Sequence, residues 1–188
     1  CHQAGYQLLV VSSNDEPDQE AAGIEHLIAR QVDGLIVVPC LPGVSTYIKW
    51  SARVPLSLVD RRLDSPSLPS VVTDAESAVT CMVLDALTKG ADEAYYFGGQ
   101  PHLSPSIDRL NGFRAALVQA GIDEQPGWVL ERDYRCSSGY TLMQECHRSL
   151  GRYPRVLFTA SLTLLEGALA YISDNRHFEI APERIVTF

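Results

Sequence analysis

Residues 54–62, VPLSLVDRR, form an apolar stretch that ends in one carboxylate and two guanidiniums. Such a run is typical of a buried strand, and it places Asp60, Arg61 and Arg62 at the carboxyl end of that strand. In an open α/β sheet, ligands bind outside the carboxyl ends of the strands. A carboxylate accepts hydrogen bonds from hydroxyls, and a guanidinium binds phosphate through two parallel donors. The stretch therefore indicates a phosphorylated, polyhydroxylated ligand, and an exposed Asp–Arg pair at a strand end is the alternative.

Strands and helices alternate along the rest of the chain. The run at 35–38, between Gly34 and Pro39, has the composition of a strand buried on both faces. Short loops between alternating strands and helices predict an α/β fold with parallel sheets flanked by helices. Further strands are predicted at 6–11, 70–72, 94–98, 128–131, 156–159 and 185–188. Helices are predicted at about 17–30, 74–89, 137–150 and 162–175, and a loop with a helix at 104–120.

The length of the chain suits two small lobes. A boundary near Val72 gives an N-terminal lobe, residues 1–72, and a C-terminal lobe, residues 73–188. Because a cleft between lobes is a usual place for a small ligand, we expect the ligand there. The chain starts at Cys1 without a methionine and ends inside a predicted strand, so we expect it to be a fragment of a longer protein with both lobes incomplete.

Composition argues against several classes of function. The net charge of −8 leaves no broad electrostatic footprint for nucleic acid. No apolar run approaches the roughly 20 residues that span a bilayer, and no signal-peptide pattern is present. The 5 cysteines are odd in number, lack Cys-x-x-Cys spacing and do not cluster with the 5 histidines. A reducing cytoplasm without a metal site fits this usage.

A second set of candidate residues follows the predicted strand at 94–98. Ser104 or Ser106 can cap the next helix, which places Arg109 in its first or second turn, beside the strand ends. A cation there gains nothing from the helix dipole, and an anionic ligand would compensate. The alternative is an exposed Arg109 paired with Asp108 or Asp92.

Tyr134 lies at the carboxyl end of another predicted strand. Its ring could stack on a sugar or on an arginine, or it could pack in the core. Gly98 and Gly99 lack the spacing of a dinucleotide loop. Asp60 could serve as a general base, but no nucleophile or base arrangement completes a reaction, so we do not expect an enzyme.

The segment RLNGF at 109–113 resembles the Arg-x-x-Gly-Phe helix of the effector-binding domain in lac-repressor/galactose-repressor (LacI/GalR) regulators. The order of the other motifs agrees with that family along essentially the whole chain. They are VDGLIV at 32–37, the strand that ends at Asp60, Tyr134 with SGY at 138–140, LFTAS at 157–161 and LLEG at 164–167.

The resemblance implies a two-lobed, periplasmic-binding-protein-like fold and a role in transcription regulation. Residues 5–9, Asp60 with Arg61, and 103–106 look most like the fructose-repressor branch of the family. Members of that branch bind fructose 1-phosphate, and fructose 1,6-bisphosphate, between two lobes, and the ligand releases the repressor from operator DNA. By position, Asp60 would accept sugar hydroxyls, and Arg61 and Arg109 would clamp the ligand, including its phosphate.

The family also implies residues and partners beyond this clamp. Ser104 and Tyr134 would lie at the edge of the cleft. Operator DNA would be bound by a helix-turn-helix head absent from this stretch of sequence, in a homodimer or tetramer with no cofactor and no membrane contact. A periplasmic-type sugar-binding protein and a sugar-phosphate enzyme on a similar fold are the alternatives.

Overall fold

The computed structural model describes residues 2–40, 43–88, 90–175 and 184–188. These residues fall into two compact units, which are described separately. Unit 1 is Cys1–Thr73 and unit 2 is Asp74–Phe188. Lys89, the last residue of a predicted helix, lies outside the described residues. That these units are the two lobes of an effector domain stays a prediction.

Unit 1 contains a parallel sheet of three strands in the order β1-β2-β3. Leu58 of β2 lies opposite Ser70 of β3, and Leu35 of β1 lies opposite Leu56. The carboxyl ends of all three strands therefore meet at one edge of the sheet. In chain order the elements are a short 3-10 helix His2–Ala4, α1 Pro17–Ala29, β1 Leu35–Val37, α2 Ser45–Ser51, β2 Leu56–Val59 and β3 Ser70–Val71.

The central strand of unit 1, β2, lies between β1 and β3 and contributes side chains to the core that it shares with α1 and α2. Leu56 and Leu58 are buried with Ile24 of α1 and with Tyr47 and Trp50 of α2. The two aromatic rings meet edge to face, with centroids 5.6 Å apart. Because buried side chains on alternate residues fix the register of a strand, this packing also fixes where β2 ends.

Unit 2 contains a parallel sheet of four strands in the order β5-β4-β6-β7. Its buried β4 is flanked on both sides, with Gly98 opposite Glu131 of β5 and Phe97 opposite Thr159 of β6. The elements are α3 Ala75–Thr88, β4 Tyr95–Gly98, α4 Ser104–Ala120, β5 Val129–Glu131, α5 Cys136–Leu150, β6 Leu157–Thr159, α6 Leu162–Asp174 and β7 Ile185–Thr187. All strand pairs in both units are parallel, so the predicted α/β class is confirmed.

A glycine lets α4 approach α3 closely. A Cβ at Gly112 would lie 2.5 Å from the carbonyl oxygen of Glu76, closer than real Cβ contacts. The Thr80 hydroxyl donates a 3.1 Å hydrogen bond to the Gly112 carbonyl, and the neighbouring Phe113 is fully buried against Tyr96. The Gly-Phe pair of the 109–113 segment therefore fixes α4, and with it Arg109, against the sheet.

The predicted strand at 6–11 is wrong. The segment is irregular backbone, and Val10 is 79% exposed. A cavity of about 300 Å³ lies between its end, α1 and β1, lined by Val11 and Ile36 among others. The segment makes no strand pairing within the described residues, and an apolar run without a ladder partner is not a strand.

The expectation that 35–38 is buried on both faces is also wrong. Leu35 and Val37 are buried, but Ile36 between them is 81% exposed. β1 is an edge strand of the three-stranded sheet, and the part of unit 1 that the structure describes leaves the face that carries Ile36 uncovered. A continuous apolar run predicts a strand that is buried on both faces, whereas β1 is buried only on the face that carries Leu35 and Val37.

Candidate functional site

The carboxyl end of β2 has a strained backbone. Asp60 has a φ of +66°, a left-handed conformation that Asp and Asn tolerate better than other side-chain-bearing residues. Its N–H donates a 3.0 Å hydrogen bond to the carbonyl of Val71 at the end of β3. Such conformations persist only where surrounding contacts hold them, and they concentrate at functional sites.

Arg61 is held in place by its neighbours. Its Nη1 donates to Asp15 Oδ1 at 2.8 Å and to the carbonyl of Pro39 at 3.3 Å, and its Nε lies 4.0 Å from Asp60 Oδ2. The side chain is only 15% exposed. Burial opposes the charged form, but the hydrogen bond and charge of Asp15 outweigh it and raise the pKa of Arg61. We call Asp15, Asp60 and Arg61 the acidic arginine cluster.

A buried carboxylate, that of Glu20, hydrogen-bonds to the backbone next to Pro39, the residue whose carbonyl contacts Arg61. Glu20 of α1 is 5% exposed and accepts hydrogen bonds from the Cys40 N–H at 2.7 Å and from the Tyr47 hydroxyl at 2.6 Å. Cys40 follows Pro39, whose carbonyl accepts from Arg61. Burial, followed by the hydrogen bond and charge of Glu20, raises the pKa of the Cys40 thiol to about 12. The thiol therefore stays protonated beside the carboxylate.

In unit 2, a glycine makes room for an aromatic ring at the end of β4. A Cβ on Gly99 would overlap the ring carbons of Tyr134. The Tyr134 hydroxyl lies 2.7 Å from Ser106 Oγ and accepts a 3.2 Å hydrogen bond from Arg109 Nη1. Ser106 is fully buried, and its carbonyl accepts from the Tyr96 hydroxyl at 3.4 Å. The β4 end, the start of α4 and the loop after β5 therefore meet at Tyr134.

Arg109 lies near two aromatic rings, and no carboxylate among the described residues pairs with it. Its guanidinium carbon is 4.4 Å from the ring centroid of Phe188 and 5.8 Å from that of Tyr134. Its Nε is buried and has no hydrogen-bond partner within the described ranges. Neither Asp108 nor any other described carboxylate of unit 2 forms an ion pair with it. We call Ser106, Arg109, Tyr134 and Phe188 the aromatic arginine cluster.

The structure places the predicted residues in two groups. Asp60 and Arg61 lie together in unit 1, and Arg109 and Tyr134 hydrogen-bond in unit 2. Ser104 is the first residue of α4 and is partly buried, but the serine that hydrogen-bonds to Tyr134 is Ser106. The caps expected of these serines are not observed, because Leu103 occupies the N-cap position.

Sequence reasoning missed three residues of the two clusters. Asp15 belongs to a polar turn after an apolar run, which gives no sign that it pairs with a residue 46 positions away. Phe188 directly follows β7, and its N–H donates to the Thr159 carbonyl at 3.1 Å, which extends the strand pairing by one residue and places Phe188 near Arg109. For Ser106, helical spacing was a usable signal, because residues three apart share a helix face and Ser106 is three before Arg109.

Chemically, the clusters can bind polar and anionic groups. No group of three metal-ligating side chains is assembled in the portion of the chain that the structure covers. Across that same portion, no helix has both the length and the apolar character needed to cross a membrane.

Comparison with known proteins places the chain in one family. Residues 1–186 match the family described as periplasmic binding proteins and sugar binding domain of LacI family, and the chain belongs to that family. The membership that the 109–113 segment predicts is confirmed, as is the fold class.

Two of the curated relatives are transcription regulators. The chain is 43% identical over 175 residues to the sucrose operon repressor of Klebsiella pneumoniae, covering 93% of this chain and 52% of that relative. It is 36% identical over 174 residues to the catabolite repressor/activator of Escherichia coli (strain K12), covering 89% and 50%. The chain thus spans about half the length of the curated relatives it matches.

A solved structure of the same fold carries a ligand. The Cra transcriptional dual regulator of Pseudomonas putida, in complex with fructose 1-phosphate, superposes with a TM-score of 0.83 at 30% identity. The match covers 100% of this chain and 68% of that one.

Proposed function

We propose that the chain is the effector-sensing part of a LacI-family transcriptional repressor and that it binds a phosphorylated sugar. Fructose 1-phosphate and fructose 1,6-bisphosphate are the proposed effectors. The observation that carries the proposal is the buried, unpartnered Nε of Arg109, beside two hydroxyls and no carboxylate. A buried donor without a partner is unfavourable, and an anionic ligand would supply the partner.

The comparisons support the same class of ligand. One structural neighbour at 30% identity was solved with fructose 1-phosphate, and 36% identical relatives are catabolite repressor/activators. The 43% identical relative regulates a sucrose operon, so a test of ligands includes sucrose and fructose.

In this proposal, the candidate effector contacts are named for each unit separately. Asp60 and Arg61 contribute from unit 1, and Arg109, Tyr134 and Ser104 contribute from unit 2, now joined by Ser106. An effector changes affinity at a distant site when it binds one conformation of the intact protein better than another. The distant site is operator DNA, bound by a helix-turn-helix head of a homodimer or tetramer.

Calorimetric titration of the intact regulator tests the proposal. Fructose 1-phosphate, fructose 1,6-bisphosphate, fructose and sucrose are titrated separately. The proposal predicts that at least one phosphorylated sugar binds more tightly than its unphosphorylated counterpart. Absence of heat with both phosphorylated sugars, in protein shown to be folded by circular dichroism, would contradict it.

A second candidate is a periplasmic-type sugar-binding protein, since the matched family also contains periplasmic binding proteins. That function predicts tight binding of an unphosphorylated sugar and weaker binding of its phosphate ester. The same four titrations therefore separate the two candidates.

A further inference from the structure

One peptide group of unit 1 joins the acidic arginine cluster to the buried Glu20. The Pro39 carbonyl accepts from Arg61 Nη1 at 3.3 Å. The N–H of the same peptide, on Cys40, donates to Glu20 Oε2 at 2.7 Å. In a planar trans peptide the C=O and the N–H point in opposite directions. Arg61 and Glu20 therefore hold this peptide from its two ends.

The charges at the two ends suit the dipole of the peptide. The Glu20 carboxylate lies at the N–H end, which is the positive end of the dipole, and the Arg61 guanidinium lies at the negative C=O end. Hydrogen bonds to charged groups are shorter and stronger than those between neutral groups. Both charges therefore favour the same orientation of the peptide, with its carbonyl directed at Arg61.

The other oxygen of Glu20 is anchored in the core of unit 1. Its Oε1 accepts a 2.6 Å hydrogen bond from the Tyr47 hydroxyl. Tyr47 is fully buried, and its ring centroid lies 5.6 Å from that of Trp50. Glu20 itself is buried as well, so its carboxylate is held at both oxygens away from water. The core therefore sets the orientation that Glu20 gives to the peptide.

Arg61 depends on this peptide because its second anchor is weak. Nη1 also donates to Asp15 at 2.8 Å, but the Asp15 side chain is 61% exposed. Ion pairs with exposed side chains contribute little, since water and side-chain entropy oppose them. Pro39, by contrast, is buried. Its carbonyl is therefore the firmer of the two contacts of Nη1.

We infer that Glu20 is a positioning residue for Arg61: it holds the Pro39–Cys40 peptide so that the Pro39 carbonyl fixes the guanidinium. Calling this part of an effector site rests on the proposed function, in which Arg61 contacts the effector. With Nη1 held, the planar guanidinium directs its remaining donors along fixed lines. Glu20 then acts on the ligand only through Arg61.

Nitrogen-15 NMR of the intact regulator without ligand tests the positioning. The measured quantity is the rate at which the Arg61 guanidinium rotates about its Nε–Cζ bond, and the Arg61→Gln variant assigns the signal. Glu20→Met removes both acceptor oxygens and keeps an unbranched side chain. It should raise the rotation rate about 3- to 10-fold, the effect of losing one hydrogen bond.

Two controls distinguish positioning from a general loosening of unit 1. Tyr47→Phe removes the other hydrogen bond of Glu20 and keeps the one to the peptide, so the Arg61 rate should stay within about twofold. Arg53 donates at 2.8 Å to Glu25, which lies on α1 with Glu20. Its rotation rate should not change in Glu20→Met.

The affinity for fructose 1-phosphate provides the functional readout. Glu20→Met should raise the Kd about 3- to 10-fold. In an Arg61→Gln background the same substitution should have little further effect, because the residue that it positions is gone. If Glu20→Met does not fold, Glu20→Gln replaces it. A neutral amide oxygen accepts more weakly than a carboxylate, so smaller changes in the same directions are expected.

The two readouts fail in different ways. An unchanged Arg61 rotation rate in the Glu20 variant, or an equal rise in Tyr47→Phe or at Arg53, would contradict the positioning role with or without a ligand. Additive losses of affinity with Arg61→Gln would also contradict it. If the Arg61 rate rises as expected but the unaltered regulator binds neither phosphorylated sugar, the positioning stands and the proposed function fails.

Discussion

At the end of β4, the Tyr134 ring fills the space that a side chain at Gly99 would need, because a Cβ on residue 99 would overlap the ring. The ring in turn places its hydroxyl between Ser106 and Arg109. Because residue 99 has no side chain, the Tyr134 ring can take this position, and its hydroxyl can then accept the hydrogen bond from Arg109.

Gly99→Ala should weaken fructose 1-phosphate binding by displacing the Tyr134 ring. The expected loss is about tenfold, the contribution of one well-placed polar contact. A double-mutant cycle checks the cause: in a Tyr134→Ala background, Gly99→Ala should have little further effect, because no ring remains to be displaced. Additive losses in the cycle would mean that Gly99 acts through something other than Tyr134.

Tyr134→Phe should destabilise the protein while keeping the ring in place. The substitution removes the partner of the buried Ser106 hydroxyl, for which a loss of about 1–2 kcal/mol in the free energy of unfolding is expected. Urea denaturation measures it. Tyr6→Phe, at a position that is 64% exposed, is the matched control and should leave the free energy unchanged. An equal effect of the two variants would show that the Ser106–Tyr134 bond contributes nothing.

Glu20→Gln should destabilise unit 1. Glu20 accepts from the Cys40 N–H and the Tyr47 hydroxyl through separate oxygens, and Gln offers only one acceptor oxygen. The expected loss is about 1–3 kcal/mol in the free energy of unfolding, since one buried donor is left without a partner. Asp18→Asn, exposed on the same helix, should change the free energy far less. Chemical denaturation measures the free energy of unfolding of both variants. Equal losses in Glu20→Gln and Asp18→Asn would contradict the role assigned to the hydrogen bonds of Glu20.

Cys146 should make stability fall with rising pH. Burial first, then the charge of Glu93, raises the pKa of its thiol to about 12 in the folded state, against about 8.5 in an unfolded chain. Above pH 8.5 the unfolded state binds fewer protons than the folded state. Stability then decreases as pH rises, by up to about 1.4 kcal/mol per pH unit from this group.

Denaturation at pH 7.5 and pH 10 measures this contribution. Cys146→Ala should lower stability at pH 7.5 because it opens a small cavity, but it should show a smaller decrease between the two pH values than the unaltered protein. Cys81→Ala, at an exposed position, is the control. A pH dependence in Cys146→Ala equal to that of the unaltered protein would mean that the buried thiol is not the source.

The sequence predicts the fold well because periodicity and turn signals are local. The sequence predicts a helix at 17–30, which the structure places at Pro17–Ala29, and a helix at 162–175, which it places at Leu162–Asp174. The errors occur where burial depends on distant parts of the chain. The segment at 6–11 and Ile36 are both apolar, but among the residues that the structure describes no element pairs with the segment or covers Ile36.

The sequence predicts those site residues that directly follow strands. Asp60 and Arg61 follow a strand of the first sheet and Tyr134 follows a strand of the second, and within each sheet parallel strands bring their carboxyl ends to the same edge. The contacts of Arg61 with Asp15 and of Arg109 with Phe188 join residues 46 and 79 positions apart, by subtraction of their numbers, and nothing local specifies them. Whether Ser104 or Ser106 contacts Tyr134 depends on the residue at which α4 begins. Both serines are possible N-caps, so the capping preference alone does not determine that residue.

Fructose 1-phosphate affinity of Arg109→Gln, measured by calorimetry on the intact regulator beside Arg114→Gln, tests the central claim most directly. Both residues lie on α4, but Arg114 pairs with Glu124 at 2.8 Å at an exposed position. The account predicts that Arg109→Gln raises the Kd about 10- to 100-fold while Arg114→Gln leaves it within about twofold. An unchanged Kd in folded Arg109→Gln would contradict the claim that Arg109 binds the effector.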